Sequence, residues 1–142
     1  MDNLNPKDKA GQLKPRLSVL SMPVLFEAGN ALTEGARKYG AFNVRVVPVK
    51  ASVYFDATMR HLAAWWEGQD IDPDSGLHHV AKAIASLMVL RDAMIHEKVK
   101  DDRPPVTDAS WIAEAVERAA EIAERYPNPK PPYTQSNLED QS

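Results

Sequence analysis

Residues 54–92 read YFDATMRHLAAWWEGQDIDPDSGLHHVAKAIASLMVLRD, two apolar-rich runs on either side of an acidic loop. Before Gly68, apolar residues recur at helical spacing: Phe55, Met59, Leu62 and Trp66 share one stripe, with Asp56, Arg60 and Glu67 opposite. The spacing predicts a helix from about Ser52 to Glu67 that buries the first set, with Gly68 ending it. Gln69 to Gly76 is an acidic loop of turn formers. A second helix is expected from about Leu77 to His96, nearly apolar all round between Val80 and Leu90. Such a helix lies either at the centre of a bundle or at an oligomer interface. Ala81, Ala83, Ala85 and Ser86 allow its neighbours to come close.

Working outward, a helix starts after Ser21, with Pro23 in its first turn where a missing N–H costs nothing. It runs to about Tyr39 and stops at Gly40, with Val24, Ala28, Ala31, Leu32, Gly35 and Tyr39 on one stripe. Ala41 to Ala51, with four valines around Pro48, reads as a loop or a short edge strand. Downstream, Lys98 to Pro105 is a charged linker. Asp108 then caps a helix over Ala109 to Arg125, expected to face Trp111, Ile112, Ala115, Ala119 and Ile122 inward. The fold class is therefore all-α, a bundle of about four helices over residues 17–126. Residues 1–16 form a flexible basic arm, and residues 127–142 a Pro-rich tail that cannot continue a helix.

A chain of 142 residues suits one domain, and with no cysteine it holds neither a disulfide nor a thiolate metal site. Lys plus Arg number 17 against 20 Asp plus Glu, a balance unlike the basic footprint of a nucleic-acid binder. No apolar run approaches the roughly 18 residues of a membrane span. The start of the chain lacks the apolar core of a signal peptide, so a cytoplasmic protein is expected.

Asp70, Asp72 and Asp74 put three carboxylates within five residues, which suits a hard cation such as magnesium or manganese. A calcium hand loop fits poorly: Gly76 falls one residue late and Ala81 stands where the bidentate Glu belongs. The plain alternative is a solvated turn, with Asp74 or Ser75 capping the next helix. Against it stand Arg60 and His61 just before the loop and His79 just after. Basic and imidazole groups converging on carboxylates suit a metal-bound phosphate ester. Each has its own bland reading. Asp56, Arg60 and Glu67 are spaced as helix salt bridges, Glu34 and Lys38 as an i,i+4 surface pair, and His61 as a structural imidazole. Glu27 and Asn30 can approach one ion together, whereas Glu27 and Glu34 lie about 10 Å apart along the axis.

These residues give the chain a family likeness. KPRLS (14–18), GARKYG (35–40) followed by Asn43 and Arg45, RHL (60–62), and GQDIDPDSGL (68–77) with His79 resemble, in order, the phage and bacterial dATP/dGTP diphosphohydrolases, relatives of the MazG-like all-α pyrophosphohydrolases. The resemblance implies a helical homodimer or homotetramer that cleaves a purine deoxynucleoside triphosphate to monophosphate and pyrophosphate with Mg2+ or Mn2+. On that basis Glu27, with Asp72 and Asp70 or Glu67, holds the metal, and Glu34, Glu67 or His79 is the general base. Lys14, Lys38, Asn43, Arg45, Arg60 and His61 contact the substrate, and Trp65, Tyr39 or Phe42 lines a base pocket. Nucleic acid and membrane are not expected partners. The sequence departs from the MazG pattern in having Glu27-x-x-Asn30 and His79-x-x-Lys82, and from the pattern of the family it resembles in having Val44 and not an aromatic after Asn43. Two other classes therefore stay open: a nucleotide-binding module without turnover, suggested by Asn30 and Lys82, and a purely structural helical oligomer.

Overall fold

The structure, a computed structural model, describes residue 3 and residues 5–139. The outermost residues of the arm and tail, 1, 2, 4 and 140–142, lie outside the described residues, and so does the flexibility expected of them. Helices α1 (Pro6–Gly11), α2 (Met22–Tyr39), α3 (Ala51–Trp66), α4 (His79–Ile95), α5 (Ser110–Arg125) and α6 (Gln135–Glu139) carry the fold. Strand is confined, among the described residues, to β1 (Val49–Lys50) and β2 (Val99–Lys100), which pair in parallel with Val49 opposite Val99, and to an isolated bridge between Ile71 and His78. Two compact units result, one ending at Arg103 and the other beginning at Pro104.

In the first unit α4 is the central helix and packs against both α2 and α3. Its packing surface is made of small side chains: Ala81, Ala83, Ala85 and Ala93 are buried, the last at 0% exposure. Alanine costs nothing in side-chain entropy and lets backbones approach closely. Ala28 of α2 and Thr58 of α3 are buried in turn.

The ends follow local chemistry. Gly40 takes φ 86° where α2 stops, a conformation that Cβ disfavours. Ser52 at the start of α3 donates its backbone N–H (2.8 Å) and its hydroxyl to the Asp102 carboxylate, so α3 is capped from the far end of its unit. The stretch read as a charged linker thus supplies both a strand and a cap. His78, not Asp74 or Ser75, caps α4: its Nδ1 accepts the Val80 N–H at 3.1 Å.

One expectation is corrected. Phe55, Met59, Leu62 and Trp66 are not the buried stripe of α3; Phe55 is 62% and Trp66 78% exposed. The less exposed face is about 100° round the helix, at Ala51, Tyr54, Thr58 and His61. The reason lies in α4, whose alanines and His79 leave room only for small or polar partners. The apolar stripe is left uncovered by this unit. In the second unit, no residue of α5 is buried, so Trp111, Ile112, Ala115, Ala119 and Ile122 share a stripe but do not form a core.

If the alanine seam sets helix spacing, Ala93→Leu overpacks it and destabilises the protein by about 1–3 kcal/mol in a denaturant melt. Ala119→Leu, on an exposed position, changes stability by less than about 0.5 kcal/mol.

Candidate active site

Three elements bring charge together beside the α2–α4 seam. The last turns of α2 carry Glu34 and Lys38, the first turn of α4 carries Lys82, and the loop between α3 and α4 carries Asp72. The Lys82 ammonium lies 3.2 Å from Glu34 Oε1 and 3.6 Å from Asp72 Oδ2, and Lys38 donates to the same Glu34 oxygen at 3.0 Å. Lys82 is only 17% exposed, which a lysine tolerates when its charge is matched.

The loop is built to aim Asp72. Its backbone N–H bonds the Leu77 carbonyl (2.8 Å) and its own carbonyl accepts from Gly76 (2.7 Å), closing a tight turn. Asp72 Oδ1 accepts from the Asp74 N–H, and Oδ2 from the Ser75 hydroxyl at 2.9 Å. Burial pushes the Asp72 carboxyl up, but Ser75, the Asp74 N–H and Lys82 outweigh it, and the net effect is downward. Glu34 is also held below its ordinary range: the Lys38 hydrogen bond lowers it most, burial works against that, and Lys82 lowers it further. Both groups are therefore carboxylates at neutral pH.

Two imidazoles stand beside this cluster. His61 Nδ1 of α3 lies 2.8 Å from His79 Nδ1 of α4, and His79 Nε2 lies 2.7 Å from Gln69 Oε1. His79 is 5% exposed, and its backbone N–H bonds the Asp70 carbonyl at 2.9 Å. Burial, then Lys82 and His79, hold the His61 pKa below its usual value.

The charged cluster opens onto a cleft of about 1080 Å³ between α2, α4 and the turn after Gly40. Its walls are largely apolar, including Leu32, Val44, Ile84, Ala85 and Met88, and Glu34, Lys38, Asn43 and Lys82 are among its polar lining. Tyr39 and Phe42 line it as well; Trp65 does not, and instead meets Trp66 edge-on at 6.1 Å. Apolar walls with a few convergent polar groups are the usual make-up of a small-molecule site.

The residues singled out in the sequence divide accordingly. Glu34, Lys38 and Asp72 meet through Lys82, His61 pairs with His79, and Asn43 joins Glu34 and Lys38 in lining the cleft. Arg45 does not serve as a free cation. It makes a two-pronged bond to Asp92 (2.9 and 3.0 Å) and stacks 4.4 Å over Phe42, holding that residue at φ 60° and the turn against α4. Glu27, Glu67, Asp70 and Arg60 are exposed, and their side chains make no hydrogen bond or ion pair among the described residues. Lys14 is exposed too; its backbone N–H bonds Gly11. Among the described residues no three His, Cys, Asp or Glu side chains form a metal-holding group. Glu27, Asp70 and Asp72 thus do not fit a resident ion, and the two carboxylates that do converge, Glu34 and Asp72, face an ammonium. Lys82 was not foreseen as a member of the site, although it is the one charge between Val80 and Leu90. Gln69 and Asp92 carried no signal of their own.

A family model described as dATP/dGTP diphosphohydrolase, N-terminal, matches residues 4–103. A protein of Salmonella phage PMBT28 named dATP/dGTP diphosphohydrolase is 28% identical over 134 residues. That match covers 90% of this chain and 46% of the relative, so the chain spans about half the length of the curated relative it matches. No solved structure matches the chain.

The charge cluster makes a pH prediction. Glu34 and Asp72 have folded values below their ordinary 4.5 and 3.8, so their contribution to stability is present above that range and lost as pH falls through the lowered values. Lys82→Met leaves two carboxylates facing each other and should cost about 1 kcal/mol at pH 7. It should also flatten the acid limb of a melting-temperature profile below about pH 4.5. An unchanged acid limb contradicts this account of the cluster.

Proposed function

We propose, since the chain belongs to the dATP/dGTP diphosphohydrolase N-terminal family, that it hydrolyses dGTP or dATP to the monophosphate and pyrophosphate. The observation that carries this reading is the junction of a largely apolar cleft, roomy enough for a nucleoside, with the Glu34–Lys38–Lys82–Asp72 cluster. The purine would lie along the apolar walls near Tyr39, Phe42 and Asn43. The triphosphate would lie against Lys38 and Lys82, whose charge-assisted hydrogen bonds suit phosphate oxygens. The two carboxylates hold both ammonium groups in place before the substrate arrives. Fixed charges of this kind stabilise developing negative charge without reorganising during the reaction.

Magnesium or manganese enters this reading as the triphosphate's own counter-ion. Magnesium is commonly held by one or two carboxylates together with substrate phosphates, not by an all-protein cage. The uncovered stripe of Phe55, Met59, Leu62 and Trp66 is the surface on which a second copy would pack in a homodimer or homotetramer. Among the described residues no helix is long and apolar enough to cross a membrane.

One observation favours a second reading. The Lys82 ammonium neutralises the two best-placed carboxylates, as expected of a module that binds a nucleotide without turning it over.

Purified protein given manganese and each of the eight common nucleoside triphosphates should release pyrophosphate, fastest from dGTP or dATP. Lys38→Met should lower kcat/KM by about tenfold or more, roughly 1.4 kcal/mol of lost transition-state binding. Saturable dGTP binding with no product would support the binding module instead, and absence of both would reject a nucleotide site.

A further inference from the structure

The His61–His79–Gln69 chain has a direction, and the direction leaves one reactive atom free. The Gln69 Oε1 atom accepts only, so the 2.7 Å contact requires His79 Nε2 to carry a proton. With its single proton there, the His79 ring presents a lone pair at Nδ1. The proton in the 2.8 Å contact between the two rings must therefore belong to His61 Nδ1. With its hydrogen on Nδ1, His61 has an unprotonated Nε2. That atom makes no hydrogen bond among the described residues, and no buried side-chain nitrogen or oxygen among them lacks a partner. His61 Nε2 therefore opens to solvent.

We propose that His61 Nε2 is the proton acceptor for the attacking water, and that His79 and Gln69 are positioning residues that fix its tautomer. The proposal rests on the triphosphate-hydrolase reading. It reverses the roles expected from the sequence, where His79 was a candidate base and His61 a substrate contact. His79 is buried with both ring nitrogens engaged, so it has no free atom to offer a substrate.

The step balances. The water oxygen forms a bond to the α-phosphorus, the bond from that phosphorus to the bridging oxygen breaks, and pyrophosphate leaves with the electron pair. The water proton moves to His61 Nε2. The resulting imidazolium keeps its Nδ1–H bond to His79, so nothing in the chain rearranges, and it returns the proton to solvent.

The surroundings suit this task. Burial first, then Lys82 and His79 from α4 and Arg60 from α3, disfavour the imidazolium, and Asp72 from the loop favours it. His61 is thus neutral at pH 7 and sheds a proton readily after each turnover.

The test uses the full chain and has two arms. Long-range proton–nitrogen NMR of the imidazoles should show His61 protonated at Nδ1 and His79 at Nε2; His61 found as the Nε2–H tautomer overturns the proposal. In the kinetic arm, with manganese and dGTP, His61→Asn keeps a donor near the Nδ1 position but no base. It should lower kcat by about 100-fold or more with KM little changed and helicity intact. His79→Gln should lower kcat less and shift the acid limb of the rate profile, which in the unaltered protein has its midpoint below the usual histidine value. Wild-type turnover with His61→Asn retaining kcat within about threefold overturns the proposal and leaves the hydrolase reading standing. No wild-type turnover on any triphosphate overturns both.

Discussion

Ala81, Ala83, Ala85 and Ala93 are the small buried side chains on which α4 lies against α2 and α3, and the geometry of the site rests on that packing. Across those seams Glu34 from α2 meets Lys82 from α4, and His61 from α3 meets His79 from α4. Packed interiors transmit small changes in volume, so the seam and the site are mechanically one object. The same constraint explains why α3 turns Thr58 and His61 toward α4 and leaves its larger apolar residues outside.

The charges in the site are organised by mutual engagement. Lys38 and Lys82 share one oxygen of Glu34, while Asp72 is already satisfied by Ser75 and a backbone N–H before Lys82 approaches. Partly buried ion pairs contribute little net stability, because desolvation offsets much of the attraction. Their value here is positional: two ammonium groups are held at the mouth of an apolar cleft. A phosphate chain entering there meets donors already oriented, which lowers the ordering cost of binding.

Much of the fold was legible because helical periodicity and its punctuation are local. Gly40 and Gly68 end α2 and α3 where the residue pattern places those ends, and the apolar run from Val80 to Leu90 is indeed the central helix. The buried face of α3 was not legible, because the wheel finds the most apolar stripe and the structure buries the one that matches alanine and imidazole. At the site, Asp72, His61 and His79 were found from loop chemistry and a family resemblance. Arg45 and Lys82 exchanged importance for a reason no single sequence reveals. A cation is free or occupied according to which carboxylate the fold brings to it, Asp92 in one case and the Glu34–Asp72 pair in the other.

On the proposed reading, a purine nucleotide occupies the α2–α4 cleft with its phosphates on Lys38 and Lys82. Amide NMR of the full chain during titration with a dGTP analogue carrying a methylene between the α- and β-phosphates tests it most directly. The account predicts saturable shifts at Gly35, Lys38, Gly40, Asn43 and Lys82. Shifts confined to residues beyond Arg103, or none at saturating analogue, would contradict it.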